Sequence, residues 1–148
     1  MKSKLLLTAA FSAMLALVAC GGGGSDSPAP ATPTPAVYDV PALLKINEVP
    51  GTGAEVVATK SVTVKYTGWL YNTTMTANKG AQFDSGTFTT VLASKEVIEG
   101  WVQGIPGMKV GGKRTLVIPS SLGYGTRGRG SIPANSALVF DIEVTAVQ

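Results

Sequence analysis

The sequence predicts an α+β domain over residues 40–148, a twisted and mostly antiparallel β-sheet covered by one short α-helix. Three observations predict it. Short stretches of apolar–polar alternation recur between glycine and proline breaks, the pattern of half-buried strands. One compact stretch alone, residues 97–105, carries apolar side chains at helical spacing. With 148 residues, 45% of them hydrophobic and 14% charged, the chain has the size and composition of one ordinary globular domain.

Residues 43–49 read as the first strand, closed by the turn Pro50-Gly51-Thr52-Gly53. Residues 61–67 alternate cleanly, with Val62, Val64 and Tyr66 on one face and Thr63, Lys65 and Thr67 on the other. Residues 88–92 form a short third strand, and 114–118 a fourth that ends at Pro119. Residues 137–147 alternate best of all: Leu138, Phe140, Ile142 and Val144 oppose Asp141, Glu143 and Thr145. In the helical stretch Trp101 and Ile105 stand one turn apart, and Pro106-Gly107 stops the helix. The sheet is therefore expected to have one wet face and one face under the helix. No internal repeat is present.

Ahead of this domain lies an address. Met1-Lys2-Ser3-Lys4 is basic, and the apolar run over residues 5–18 is shorter than the ~20 residues that cross a bilayer comfortably. Residues 1–19 read as a signal peptide. Leu17-Val18-Ala19-Cys20 resembles the lipobox of bacterial lipoproteins, which implies a diacylglyceryl group on Cys20 and a membrane anchor. Simple secretion, with Ala19 before the cleavage point, is the alternative. Gly21 rather than aspartate after the cysteine favours the outer over the inner membrane in a Gram-negative host. Residues 20–39 are rich in glycine, serine, alanine, proline and threonine, the composition of an extended tether.

The charge pattern excludes whole classes of function. The chain carries 12 Lys/Arg and 9 Asp/Glu, but Lys2 and Lys4 leave with the signal peptide, so 10 basic groups face 9 acidic ones. Such a balance gives no electrostatic case for nucleic acid, and Arg127-Gly128-Arg129-Gly130 reads as a solvated flap. Asn72-Thr73-Thr74 fits a glycosylation sequon, which has little meaning beside a bacterial lipoprotein signal. There is no histidine and the sole cysteine is Cys20, so neither the usual zinc site nor a Ser-His or Cys-His pair can be built. No cofactor and no metal are expected.

What remains is a set of bulky side chains with one carboxylate: Tyr66, Phe83-Asp84, Val97-Ile98, Trp101, Tyr124, Ile132-Pro133 and Phe140. If they converge, they make a small apolar pocket with a few polar handles and no nucleophile, suited to chemistry in which no covalent bond is made or broken. Each also has a plainer reading. Trp101 and Phe140 serve equally as core. Val97 and Ile98 are adjacent, so both face one site only on an irregular backbone. Asp84 suits a turn, and Tyr66 and Tyr124 suit the boundary between core and water.

The ordered set Val64-Lys65-Tyr66-Thr67-Gly68, Phe83-Asp84-Ser85, Glu96-Val97-Ile98-Glu99-Gly100-Trp101, Gly107-Met108-Lys109-Val110-Gly111-Gly112-Lys113-Arg114, Tyr124-Gly125, Ile132-Pro133 and Leu138-Val139-Phe140-Asp141 covers nearly all of residues 41–148. It resembles the FKBP-type peptidyl-prolyl cis–trans isomerases, the immunophilins that bind tacrolimus and rapamycin. The resemblance implies a sheet wrapped around the helix, with the pocket between them. It also implies a catalytic set of Tyr66, Asp84, Trp101, Tyr124 and Phe140, with the indole of Trp101 as the floor under the proline ring. Phe83, Phe88, Val97, Ile98 and Ile132 would complete the substrate-binding wall and rim. The Ile98 N–H and the Tyr124 hydroxyl would hold substrate carbonyls, and Asp84 would orient polar groups beside the twisting amide. The expected partners are proline-containing polypeptides of the envelope or of exported proteins, with macrolides as inhibitors; a monomer is expected.

Two departures from the family pattern are visible. The Gly68–Phe83 stretch is longer than in compact members, and the stretch from Asp84 to Phe88 is shorter and lacks a basic residue after the aspartate. They motivate two rival readings: a proline-peptide-binding module without turnover, and a surface-tethered chaperone or adhesin that uses the long loop.

Overall fold

The computed structural model describes residues 36–148, so the expected signal peptide, Cys20 and the tether up to residue 35 lie outside the described residues. Five strands form one antiparallel sheet: β1 (Leu44–Val49), β2 (Ser61–Tyr71), β3 (Lys79–Val91), β4 (Lys113–Ile118) and β5 (Leu138–Val147). Their spatial order is β1-β4-β5-β2-β3, which sets the last strand at the centre. Among the described residues the single α-helix is α1 (Glu99–Gly104), and short 3₁₀ turns lie at Thr76–Asn78, Leu92–Ser94 and Ser120–Leu122.

The best alternating segment takes the central place because it has the most apolar surface to hide. Leu138, Phe140, Ile142 and Val144 of β5 are all buried, together with Val62 and Val64 of β2 and Leu116 and Ile118 of β4. Burying each such side chain contributes about 1.5–3 kcal/mol. Helix α1 lies on this face through its glycines. A Cβ on Gly104 would stand 2.5 Å from Leu116 Cδ1, and one on Gly100 would collide with the Ile118 side chain. Two bare turns of backbone therefore let the helix rest directly on β4. Its C-terminal carbonyls are met from β4 as well: the buried Arg114 guanidinium donates to the Gly104 carbonyl and to the Pro106 carbonyl at 3.4 Å. A cation at that end also complements the helix dipole.

Three expectations are corrected. The strand expected at 61–67 continues to Tyr71, and the short strand at 88–92 is the tail of β3, which begins at Lys79. Most of β3 is exposed, so it carries no alternating signal. It is a strand because β2 pairs with it, from Ser61 opposite Val91 to Tyr71 opposite Lys79. The wet face is not uniformly wet either. Val117 and Val139 are buried although they alternate with the helix-facing residues; Val139 stands in register between Trp69 and Val117, and Val117 opposite Leu44.

The segment before β1 is tied down. Both Asp39 carboxylate oxygens accept from Ser120, Oδ1 from its amide at 2.8 Å and Oδ2 from its hydroxyl at 2.6 Å. Burial pushes this carboxyl up, but the Ser120 hydroxyl and amide and the Val40 amide outweigh that and hold it below its ordinary value. The Tyr38 carbonyl accepts from the Ala137 amide at 2.8 Å.

Candidate active site

The floor of the site comes from α1 and its walls from the sheet. Ile98 caps the helix in an extended conformation, with φ −62° and ψ 150°, and its carbonyl accepts from Trp101 N at 2.9 Å. This break from extended to helical backbone lets Val97 and Ile98 both face the site. One turn on, the Trp101 ring is 5% exposed and meets Tyr66 and Phe140 edge to face, with centroids 5.2 and 5.4 Å apart. Phe83 meets Phe140 in the same way at 5.5 Å.

Gly68 makes that ring cluster possible. It pairs with Phe140 on one side and Asp84 on the other, and a Cβ there would lie 2.7 Å from Phe83 Cζ and 2.8 Å from Phe140 Cε1. The rings fill the space that any other residue would occupy. A register shift follows between Gly68 and Trp69, a bulge of the kind that re-aims side chains beside functional sites.

Above the indole opens a cavity of about 610 Å³, well within the range of small-ligand sites. Tyr66, Phe83, Asp84, Phe88, Val97, Ile98, Trp101, Tyr124, Ile132 and Phe140 all line it; of the pocket residues the sequence singled out, Pro133 alone does not. Phe88 is at the rim, 39% exposed. Glu96, Arg129, Gly130 and Ser131 also line the cavity and were not expected there. The flap is solvated as expected, with Arg127, Arg129, Gly130 and Ser131 exposed, and the Arg129 guanidinium carbon lies 5.6 Å from the Tyr124 ring centroid at the cavity mouth. Glu96 sat inside a matched motif but carried no sign of its position.

The polar groups divide into engaged and unengaged. The Tyr66 hydroxyl donates to Asp84 Oδ2 at 2.8 Å, and Asp84 Oδ1 accepts from the Ser85 amide at 2.8 Å. Burial, and after it the Asp84 carboxylate, push the Tyr66 phenol up to about 12, so it stays a neutral donor aimed at the carboxylate. By contrast, among the described residues neither the Ile98 N–H nor the Tyr124 hydroxyl has an acceptor. Trp101 Nε1 likewise has no protein partner. The site is thus an aromatic hollow with free donors at its edge and its one central carboxylate already occupied. Among the described residues no group of His, Cys, Asp and Glu could hold a metal ion.

The family model for FKBP-type peptidyl-prolyl cis-trans isomerase matches residues 53–145, a span that holds β2 to β4, most of β5, the helix and every residue lining this hollow. The chain belongs to the FKBP-type peptidyl-prolyl cis–trans isomerases. It is 43% identical over 109 residues to FK506-binding protein 1B of Neurospora crassa, covering 70% of this chain and 96% of that one. It is 46% identical over 103 residues to an FK506-binding protein of Neisseria meningitidis serogroup A, covering 66% and 88%. Among solved structures, a peptidyl-prolyl cis-trans isomerase from Pseudomonas syringae superposes with a TM-score of 0.62 at 34% identity, over 78% of this chain and 84% of that one. As an FKBP-type enzyme, the protein catalyses rotation about Xaa–Pro bonds. Its five-stranded antiparallel sheet and short helix are those of the family's solved members.

Proposed function

We propose that this isomerase acts on exported or envelope polypeptides, seating the prolyl ring on the Trp101 indole while the Ile98 N–H and the Tyr124 hydroxyl hold the flanking carbonyls. The observation that carries the reading is the pairing of a dry aromatic floor with unengaged donors around one cavity. An X–Pro bond turns over tens to hundreds of seconds unaided, because twisting it sacrifices amide resonance. In the twisted state the nitrogen regains its lone pair and the amide dipole falls. An apolar cavity favours that less dipolar species, and fixed donors hold the carbonyls in the twisted geometry. Four decades of acceleration need about 5–6 kcal/mol, a scale that desolvation plus one or two oriented hydrogen bonds supplies without acid–base chemistry.

Asp84 serves this arrangement indirectly. By accepting the Tyr66 hydroxyl it fixes a wall ring in place and leaves Tyr124 as the hydroxyl that addresses substrate. The cavity also suits the macrolides rapamycin and tacrolimus, the inhibitors that the family binds. In this reading Cys20 carries the lipid and the chain from residue 20 to about 35 is the spacer, because Tyr38 and Asp39, expected in the tether, are bonded to Ala137 and Ser120 of the folded domain.

A cis–trans isomerisation assay of the full chain on Xaa–Pro peptides tests the site. Trp101→Leu and Tyr124→Phe are expected to lower kcat/KM, with the larger loss for Trp101. Peptide binding with no acceleration by the parent protein would favour a binding module instead.

A further inference from the structure

We propose that Arg129 selects substrates with a carboxylate beside the proline, that is, Glu or Asp next to the Xaa–Pro bond being turned. The inference rests on the isomerase reading of the same cavity and adds the charge class of its substrate. Arg129 belongs to a tight hairpin: its amide donates to the Ile132 carbonyl at 2.9 Å and the Ile132 amide returns a bond to its carbonyl at 2.9 Å. Gly130 and Ser131 form the two-residue turn, with Gly130 at φ +56°. A positive φ at the first turn position alone is the type II′ pattern, which suits glycine.

Directly opposed residues of such a pair send their side chains to the same face. Ile132 is buried at the cavity, so Arg129 is delivered to that side too. Behind the turn, Gly128 at φ +64° packs so closely on Ile132–Ala134 that a Cβ would stand 2.9 Å from Ala134 N. The flap backbone is therefore fixed, and with it the base of the arginine.

The guanidinium over Tyr124 has its charge uncompensated: among the described residues no carboxylate lies within ion-pair distance of it. A guanidinium set against a ring keeps its fork of N–H donors for a carboxylate. Of the cavity's own carboxylates, Asp84 is engaged with Tyr66 and Ser85, and Glu96 forms no ion pair with Arg129, its one contact among the described residues being the Thr90 hydroxyl at 3.4 Å, which lies equally close to the Val91 carbonyl. Because the Tyr124 hydroxyl is the donor assigned to a substrate carbonyl, a cation stacked on its ring sits beside a residue flanking the proline.

The test is exchange NMR on the full chain, which needs no coupling protease. One peptide series places Glu, Leu or Lys before the proline, and a second places them after it. The expected result is a kcat/KM favouring Glu over Lys by about fivefold in one of the series, the scale of an exposed ion pair, shrinking as salt is raised. Arg129→Gln should bring that ratio close to one, and Arg129→Lys should retain most of it. Equal rates for Glu and Lys in the parent overturn the proposal, as does a Lys preference, which would make Glu96 the selecting group. A uniform loss in Arg129→Gln with the ratio preserved also overturns it, leaving the arginine as a brace for Tyr124. The Leu peptides report isomerisation itself: their turnover with a flat charge profile rejects this inference alone, whereas their failure rejects the reading beneath it.

Discussion

Tyr66 and Trp101 show how much of the site is decided by single groups. The Tyr66 phenol holds its proton more tightly in the fold than in the open chain, with its value raised from 10.0 to about 12. Its contribution to stability is therefore complete below pH 10 and is lost as the pH rises through about 12. Phenolate absorbance should show one late-titrating tyrosine that disappears in Tyr66→Phe, and that variant should lose about 1–2 kcal/mol in urea unfolding. Asp39 works at the opposite end of the scale. Held below the ordinary aspartate value of 3.8, it stabilises above that pH and stops doing so as the pH falls beneath it. Ser120→Ala should move the acid-unfolding midpoint upward. Trp101 is expected to report ligand directly: rapamycin should quench the parent's fluorescence and leave Trp101→Leu unchanged. Trp69 supplies the background there, on the other face of the sheet with Lys79 Nζ 4.7 Å from its ring centroid. Quenching that persists without Trp101 would remove that indole from the binding site.

At the level of elements, α1 is too short to be stable by its own hydrogen bonds, and isolated helices of this length do not form in water. It exists because Gly100 and Gly104 let it lie on Leu116 and Ile118, and because Arg114 gathers its terminal carbonyls. Gly104→Ala forces a methyl into a filled contact and should cost about 1–3 kcal/mol. Since the same helix carries Trp101, macrolide affinity should fall along with the urea midpoint; a loss of stability with affinity intact would uncouple helix seating from the site. The two glycines were visible in the sequence, but their purpose was not, because it depends on which strand the helix meets. The same holds for β3. Residues 79–87 have no apolar face to announce a strand, and their pairing with β2 is a long-range fact. The long stretch after Gly68 proves to be an extension of that hairpin. Its tip is closed by Asn72, whose side-chain oxygen accepts from the Thr74 amide and hydroxyl at 2.9 and 2.7 Å.

For the whole molecule, the proposed anchor and the enzyme domain should be separable. In a bacterial host the chain is expected in the membrane fraction, with Cys20→Ser released to the soluble fraction and its peptide turnover kept. A soluble parent chain would reject the lipid anchor. Two or more acyl chains give lasting attachment, whereas one gives only reversible binding, so release should be near complete rather than partial. Ligand and fold should also be linked: at a hundredfold excess over Kd, a macrolide adds about 2.7 kcal/mol to the stability of the parent. A binding-defective Trp101→Leu should show no such gain in Tm.

The sequence by itself determined the fold class, the best-alternating strand, the helix and the aromatic members of the hollow. Those features come from local periodicity and from an ordered series of motifs, both written along the chain. Only the tertiary structure decided which polar groups are engaged, that Gly68 makes room for two rings, and that the exposed Arg129 borders the cavity beside Tyr124. These depend on side chains far apart in the chain meeting at a few ångströms, and pairings across the sheet leave no periodic trace in either partner.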